Sequence, residues 1–387
     1  MILSGAGHSN ESDGLKAARL ATHSALGQAT LTQADLVFAF VTHHHLEIAQ
    51  LLVQEVMEVA ETVNVVGCSG MGVLTDDREN DREPGVAVLV MAGEDLDVVL
   101  VHERGEGAGI GIGEQLLPYD KDDALLVMVT GLFGDPARFM KQITDNIGHL
   151  PIVGGMASPN PWERTEPPSL QWCGNEIGED LVVGVLLRGV NFATGVAQGC
   201  QPFGQAYTIT QCDDQMIHQL AFGPAVDALK EAMDTLSAEE KAYLRRNVFI
   251  GLAMDEYAVE RKRGDYLIRT LMGIEERSGA LGINESVSVG QTVQFNLRTP
   301  GAAHEDMVQV MKRLKAEKGS LAGVCGLYFN CMGRGFGLYA QPDHDVLVMR
   351  KYLGAFPIAG FFGQAEFAPV GERNFVHSYT GALVLLW

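Results

Sequence analysis

The chain lacks any apolar run near the roughly eighteen residues that a membrane-spanning helix requires. Stretches such as residues 181–187 (LVVGVLL) have only the length of a strand. The first residues, MILSGAGHSNESDG, show no basic region followed by an apolar core, so no secretory signal is read there. The expectation is a soluble, cytoplasmic protein with no membrane insertion. Cations are also scarce. Lys and Arg number 28 against 49 Asp and Glu, a formal charge of −21. Such a field repels a phosphate backbone, which argues against nucleic acid as a partner. The densest basic run, KRLKAEK at residues 312–318, reads as the last turns of an amphipathic helix, where cations suit the carboxyl end. The six cysteines include no C-x-x-C pair and no C-x-x-C-H haem-attachment site. They read as free thiols in a reducing compartment.

Familiar catalytic signatures are missing too. No G-x-x-x-x-G-K-[ST] is present. GEGAGIGIGE (residues 105–114) alternates its glycines and never reaches the G-x-G-x-x-G spacing of a dinucleotide loop. GCSGMG places Met71 where G-x-S-x-G needs its last glycine. No H-E-x-x-H occurs. His43 and Glu47 in THHHLEIAQ stand four apart, the spacing of one α-helical face, so this segment is either a metal-binding pair or a solvated helix start.

Glycine, by contrast, is plentiful, with 45 residues, and its placement is regular. Three segments share one plan. DLVFAFVT, ALLVMVTG and GVCGLYFNCMGRG each read as a buried strand. A helix with apolar residues three and four apart follows each. In the second segment Asp135 supplies the cap and Pro136 the first turn. A short strand ending in Gly67, Gly154 or Gly360 then follows, and a further strand closes each segment (GVAVLVMAG, DLVVGVLLRG and FVHSYTGALVLL). The glycines serve as tight turns or as points of close approach, with a ligand open at some of them. The predicted fold is α/β, with mixed β-sheets and packed helices, built from repeated strand-helix-strand units in two modules. Pro and Gly cluster at GCQPFGQ, which places the division at 1–200 and 201–387. Between the second and third segments lie helical patterns and strands, of which SVSVGQTVQFNLRTP alternates most clearly. The proline-rich loop at residues 158–172 is a lid or a surface insertion.

The chemistry concentrates at LYFNCMGRGFGLY (residues 327–339). Cys331 beside Arg334 is either an activated thiolate or a buried structural thiol. Arg334 between Gly333 and Gly335 is free to reach a carboxylate or phosphate with its planar fork. Glu366 is its candidate structural partner, and an Arg334–Glu366 ion pair would leave less charge for a ligand. His377 has the chemistry of an axial haem ligand, a ligand contact or a satisfied core histidine.

FNCMGRG, PIAGFFGQAEFAPVG and NFVHSYTG resemble, in that order, the end motifs of the FIST C-terminal domain. VNVVGCSGMGVL, LFGDPARFMKQI and LPIVGGMAS resemble its companion, the FIST N-terminal domain. The resemblance covers nearly the whole chain. It implies a sensory module for small ligands, with amino acids proposed, in bacterial signalling alongside histidine kinases and cyclic-di-nucleotide enzymes. It also implies a second possibility of function, since some stand-alone members bind haem and sense nitric oxide, and a eukaryotic branch serves an F-box ubiquitin ligase. With no F-box-like or kinase segment read here, a stand-alone sensor is expected, passing its signal to a separate partner. The family's motifs map onto Cys331, Gly333, Arg334, Gly335, Gly360, Phe361, Glu366, His377 and Thr380. The expected ligand is an amino acid or other small anion held by Arg334, in a pocket shared with Glu366 and His377. A haem sensor using His377 and an enzyme using Cys331 are the alternatives, and no catalytic signature supports the latter.

Overall fold

The computed structural model describes residues 2–119, 124–162, 164–244, 248–258 and 260–387. It is a mixed α/β protein with two compact units. Unit 1 comprises Met1–Val196, Val308–Val376 and Thr380–Trp387, and unit 2 comprises Ala197–Met307 and His377–Tyr379.

Unit 1 holds all three strand-helix-strand segments, and each proves to be part of a longer repeat. The first repeat runs β1 (Leu3–Ser9), α1 (Gly14–Ala29), β2 (Leu36–Thr42), a 3-10 segment (His43–Ile48), α2 (Ala49–Ala60) and β3 (Val65–Gly70). A hairpin of β4 (Val73–Thr75) and β5 (Glu79–Asn80) follows, then β6 (Val86–Ala92). The second repeats the order with β7 (Asp97–Arg104), α3 (Ala108–Gln115), β8 (Leu125–Thr130), α4 (Pro136–Ile147), β9 (Ile152–Met156), hairpin β10 (Gln171–Cys173) and β11 (Glu176–Gly178), and β12 (Leu181–Arg188). The third opens with β13 (Phe192–Ala197).

Unit 2 follows β13 in the chain. Its elements are β14 (Cys200–Asp213), β15 (Met216–Leu220), β16 (Gly223–Pro224), α5 (Ala225–Asp234), α6 (Ala238–Tyr243), β17 (Val248–Ala253), β18 (Tyr266–Ile274), β19 (Leu281–Ile283) and β20 (Thr292–Arg298). The strands are hydrogen-bonded in the order β14-β20-β17-β18-β19-β15-β16, and β14 also pairs with β15. That extra pairing closes an antiparallel barrel of β14, β20, β17, β18, β19 and β15. The long β14 serves two partners because register shifts within it bend the strand. The alternation in TVQFNLR sends Val293, Phe295 and Leu297 inward, where Ala225, Leu229 and Ala232 of α5 join them.

The third repeat then resumes with α7 (Pro300–Lys318), within which the unit division falls after Met307. It continues through β21 (Cys325–Cys331), α8 (Gly335–Tyr339), α9 (His344–Leu353), β22 (Ile358–Gly363), hairpin β23 (Ala365–Val370) and β24 (Arg373–His377), and β25 (Gly381–Leu386).

The three sheets of unit 1 have one strand plan: β1-β6-β2-β3-β10-β11, β7-β12-β8-β9-β23-β24 and β13-β25-β21-β22-β4-β5. In each, the two central strands are parallel (β2 with β3, β8 with β9, β21 with β22). The last two strands come from another repeat. The first repeat lends its hairpin to the third, the second to the first, and the third to the second. This cyclic exchange ties the repeats together.

Strand alternation divides the core. Phe38, Phe40, Val127, Val129, Leu327, Phe329 and Phe361 join one cluster drawn from all three sheets. Val37, Ala39 and Val41 face α1 and α2 instead, and Leu126 and Met128 pack with residues of α3 and α4. The paired glycines explain themselves here. Gly67, Gly154 and Gly360 lie opposite Ala39, Met128 and Tyr328 in their parallel neighbours. A Cβ at each would stand 1.8, 1.7 or 1.9 Å from that neighbour's carbonyl oxygen. They are mid-strand points of close approach, not turns. GEGAGIGIGE largely forms α3, where Gly109 lets the helix approach the Phe139 carbonyl of α4. In the proline-rich connection Trp162 is exposed, whereas Trp172 is buried on β10 against the helix-facing core of the first sheet.

Candidate functional site

β21 ends where its neighbours stop matching it. Cys331 N–H donates to the Thr380 carbonyl at 2.9 Å, Met332 N–H to Gly363 at 2.8 Å, and Arg334 N–H turns back to Cys331 at 2.8 Å. Gly335 has φ +61°, and a Cβ there would lie 2.7 Å from an Asp81 carboxylate oxygen. The left-handed conformation favours glycine, and any larger residue would also displace the Asp81 side chain. The turn drops Arg334 inward, where it is 1% exposed.

Its guanidinium meets Asp345 of α9 in a bidentate pair, Nε to Oδ2 at 3.0 Å and Nη2 to Oδ1 at 3.1 Å. Nη2 also donates to the Tyr339 hydroxyl at 2.7 Å. Asp345 accepts further bonds from Tyr328 Oη at 2.9 Å and Asn330 Nδ2 at 3.3 Å, and its Oδ1 lies 2.9 Å from His344 Nδ1. The His344 ring stacks on Tyr339 with centroids 3.4 Å apart. Burial alone would push the Asp345 carboxyl up, but the Arg334 guanidinium and the bonds from His344 and Arg334 hold it well below the usual carboxylate range. Burial and the Asp345 charge together push the Tyr328 phenol well up. The result is an ionised, desolvated pair whose remaining bonding capacity is met by neighbouring polar groups.

A second carboxylate joins from the first repeat. Glu79 on β5 accepts from the Asp345 and Val346 N–H groups at 2.7 and 3.0 Å, closing the amino end of α9 from outside its own repeat. Glu79 N–H donates to Asp343 Oδ1 at 2.7 Å. Burial, then the facing Asp345 carboxylate, push the Glu79 carboxyl up to about 8. Asp81 accepts from Phe336 N–H at 3.0 Å, and the Arg82 guanidinium lies 4.0 Å above the Phe336 ring centre. Between the hairpin and the α8–α9 turn lies a cleft of about 430 Å³, whose walls include Asp77, Arg78, Glu79, Arg82, Phe336 and Asp343.

The structure distributes the expected residues over several places. Arg334 and Gly335 belong to the cluster behind the cleft, Gly333 is exposed on the turn, and Arg334 itself does not line the cleft. Cys331, Glu366 and Thr380 form a second buried group: Glu366 Oε2 accepts from Thr380 N–H at 3.1 Å and Thr380 Oγ1 at 2.7 Å, while Thr380 holds Cys331 through its carbonyl. Gly360 is the close-approach glycine of β22. Phe361 is core, with its ring centroid 5.1 Å from that of Phe40. His377 is buried and belongs to unit 2. The bidentate ion pair of Arg334 is with Asp345, where Glu366 was the anticipated partner. The cleft has charged walls and no histidine among its described lining residues, which does not fit a porphyrin. His43 and Glu47 fall in 3-10 geometry, whose repeat of three breaks the i, i+4 alignment, and His43 stacks on His44.

Asp345, Glu79, Tyr328, Asn330, Tyr339 and His344 were not singled out by sequence. Asp343 and Asp345 at the start of a helical pattern carried a legible signal, since acidic residues suit a helix amino end. Glu79 carried none, because it acts on residues more than 260 positions away.

Two family domains match the chain, the FIST N domain over residues 35–221 and the FIST C domain over residues 225–369. An uncharacterized protein of Mycobacterium tuberculosis is 31% identical over 348 residues, covering 88% of each chain. Another, from Mycobacterium bovis, is 30% identical over 379 residues, covering 95% of each. Human F-box only protein 22 is 27% identical over 127 residues, 29% of this chain and 32% of that protein.

Proposed function

The chain belongs to the FIST family, whose domains are associated with sensory signal transduction, and on that premise we propose that it is a cytoplasmic small-ligand sensor with its receptor cleft in unit 1. The observation that carries this reading is the cleft between β5 and the α8–α9 turn. Its walls supply both signs of charge, from Arg78 and Arg82 and from Asp77, Asp81 and Asp343. An amino acid presents a carboxylate and an ammonium group and matches both. Arg334 acts indirectly: it fixes Asp345, Asp345 orders the start of α9, and Glu79 joins that start to the cleft wall. A bound ligand biases this bonded set, and the change passes to a separate partner, a histidine kinase or a cyclic-di-nucleotide enzyme. The cleft's role is binding, not catalysis.

A thermal-shift screen of amino acids and small organic acids tests the reading. At least one compound is expected to raise the melting temperature of the parent, with the rise lost in Arg82→Ala. If no compound stabilises the parent, or if the variant responds equally, the cleft is not the receptor site.

A further inference from the structure

Arg298 ends β20 in unit 2. Alternation sends Val293, Phe295 and Leu297 into the barrel and turns Arg298 outward. There it lies opposite Cys200 in register, on a face carrying Phe249 and Ile268. Tyr379 covers this face. Its ring centroid is 4.5 Å from that of Phe249, and its hydroxyl is 2.6 Å from Thr270 Oγ1. The Arg298 guanidinium carbon lies 5.3 Å from the Tyr379 ring centre. Arg298 is only 7% exposed, yet its Nε and Nη2 are buried and have no hydrogen-bond partner among the described residues.

The same barrel shows how a buried arginine is otherwise accommodated. Arg269 is equally buried, and its Nε meets Glu285 at 2.6 Å. Arg298 has no such carboxylate among the described residues. A desolvated cation with two bare donors is destabilising unless something completes it. The two bare nitrogens are also the informative ones. Nε and Nη2 lie along one edge of the guanidinium plane and offer two parallel N–H bonds, the geometry that two oxygens of a carboxylate or phosphate accept.

We propose that Arg298 anchors an oxyanion site in unit 2, taking a small carboxylate or phosphate along its Nε–Nη2 edge, with the Tyr379 ring stacked against the guanidinium. The site shares no residue with the cleft of unit 1 and stands whether or not the cleft binds a metabolite.

The test uses the full chain as parent, Arg298→Met and Arg298→Lys, titrated separately with sodium phosphate and sodium succinate at ionic strength matched with sodium chloride. Melting temperature and calorimetric affinity are read. One of the two anions is expected to stabilise the parent saturably, and which arm responds separates phosphate from carboxylate. Arg298→Met is expected to abolish that response and, without anion, to melt no lower than the parent, because a bare buried charge has been replaced by an apolar chain. Arg298→Lys keeps the charge but loses the fork, and its affinity is expected to fall by about tenfold or more. Three results overturn the proposal: no response of the parent to either anion, an undiminished response in either variant, or an Arg298→Met protein that is destabilised or unfolded without anion, which would make Arg298 structural.

Discussion

Arg334 and Asp345 are both withdrawn from water, so the energetics of the pair depend on each keeping the other. Asp345→Asn removes the charge that meets the guanidinium in two bonds, and is expected to lower unfolding free energy by about 3–5 kcal/mol. Combining Arg334→Met with Asp345→Leu removes both charges and is expected to recover most of that loss. Urea unfolding of the three proteins checks this; a double variant no better than Asp345→Asn would show that the pair stabilises beyond charge compensation. Glu79 gives the pH counterpart. Its folded-state pKa is raised, so the folded protein holds this proton more tightly than the unfolded chain. The Glu79 contribution is therefore fully present below the unfolded value near 4.5 and is lost as pH rises through about 8. Glu79→Gln is expected to gain on the parent between pH 6 and pH 9, measured by urea unfolding across that range; a stability difference independent of pH would refute the assignment. Arg334 was legible as a residue with a special purpose because two glycines flank it. Its partner was not: Glu366 stands in the next recognisable motif, while Asp345, only 11 residues from Arg334, is reached because α9 folds back over the turn.

At the scale of elements, the three glycine-bearing strands rest on contact rather than conformation alone. The parallel neighbour's carbonyl occupies the place of a Cβ, and the strand cannot retreat while both of its ladders hold. Gly360→Ala is therefore expected to cost about 3 kcal/mol or more, or to abolish soluble expression, as overpacking against backbone cannot be relieved by a rotamer change. Gly337→Ala is its control. That glycine lies on α8 with nothing within 4 Å of a built Cβ, so alanine there is expected to be neutral or to stabilise by up to about 1 kcal/mol. Thermal melts of both variants decide it, and similar losses in the two would contradict the contact argument. The strands themselves were legible, since continuous β-branched runs mark strands buried on both faces. The hairpins β4–β5 and β10–β11 were not. They have two or three residues per strand, and their register is set by a sheet belonging to another repeat.

For the whole molecule, the sequence displayed three similar segments but not their closure into a ring of exchanged hairpins, because pairings across such separations leave no local periodicity. Nor did it show where unit 2 enters. The first two repeats join their opening strand to the next helix by short connections, β1 to α1 and β7 to α3, whereas the third has unit 2 between β13 and α7. Unit 2 thus occupies the position of a loop. The two ends of that gap are close: a Cβ on Gly195 of β13 would lie 2.5 Å from the Val310 side chain of α7. Residues near the exit and return also bond directly, Gly199 N–H to Asp306 Oδ2 at 3.0 Å. A chain leaving and returning at adjacent points tolerates removal of what lies between, provided the remaining unit has its own core. Unit 1 has such a core, formed by all three of its sheets. Replacing residues 199–299 with a linker of about four residues, matched in length to the β1–α1 connection, is expected to leave unit 1 folded. Circular dichroism and a single cooperative urea transition would register this. Adding Gly360→Ala should then abolish that transition. A shortened chain without cooperative unfolding would show that unit 1 depends on unit 2 for its stability, and that the insertion has become part of the frame.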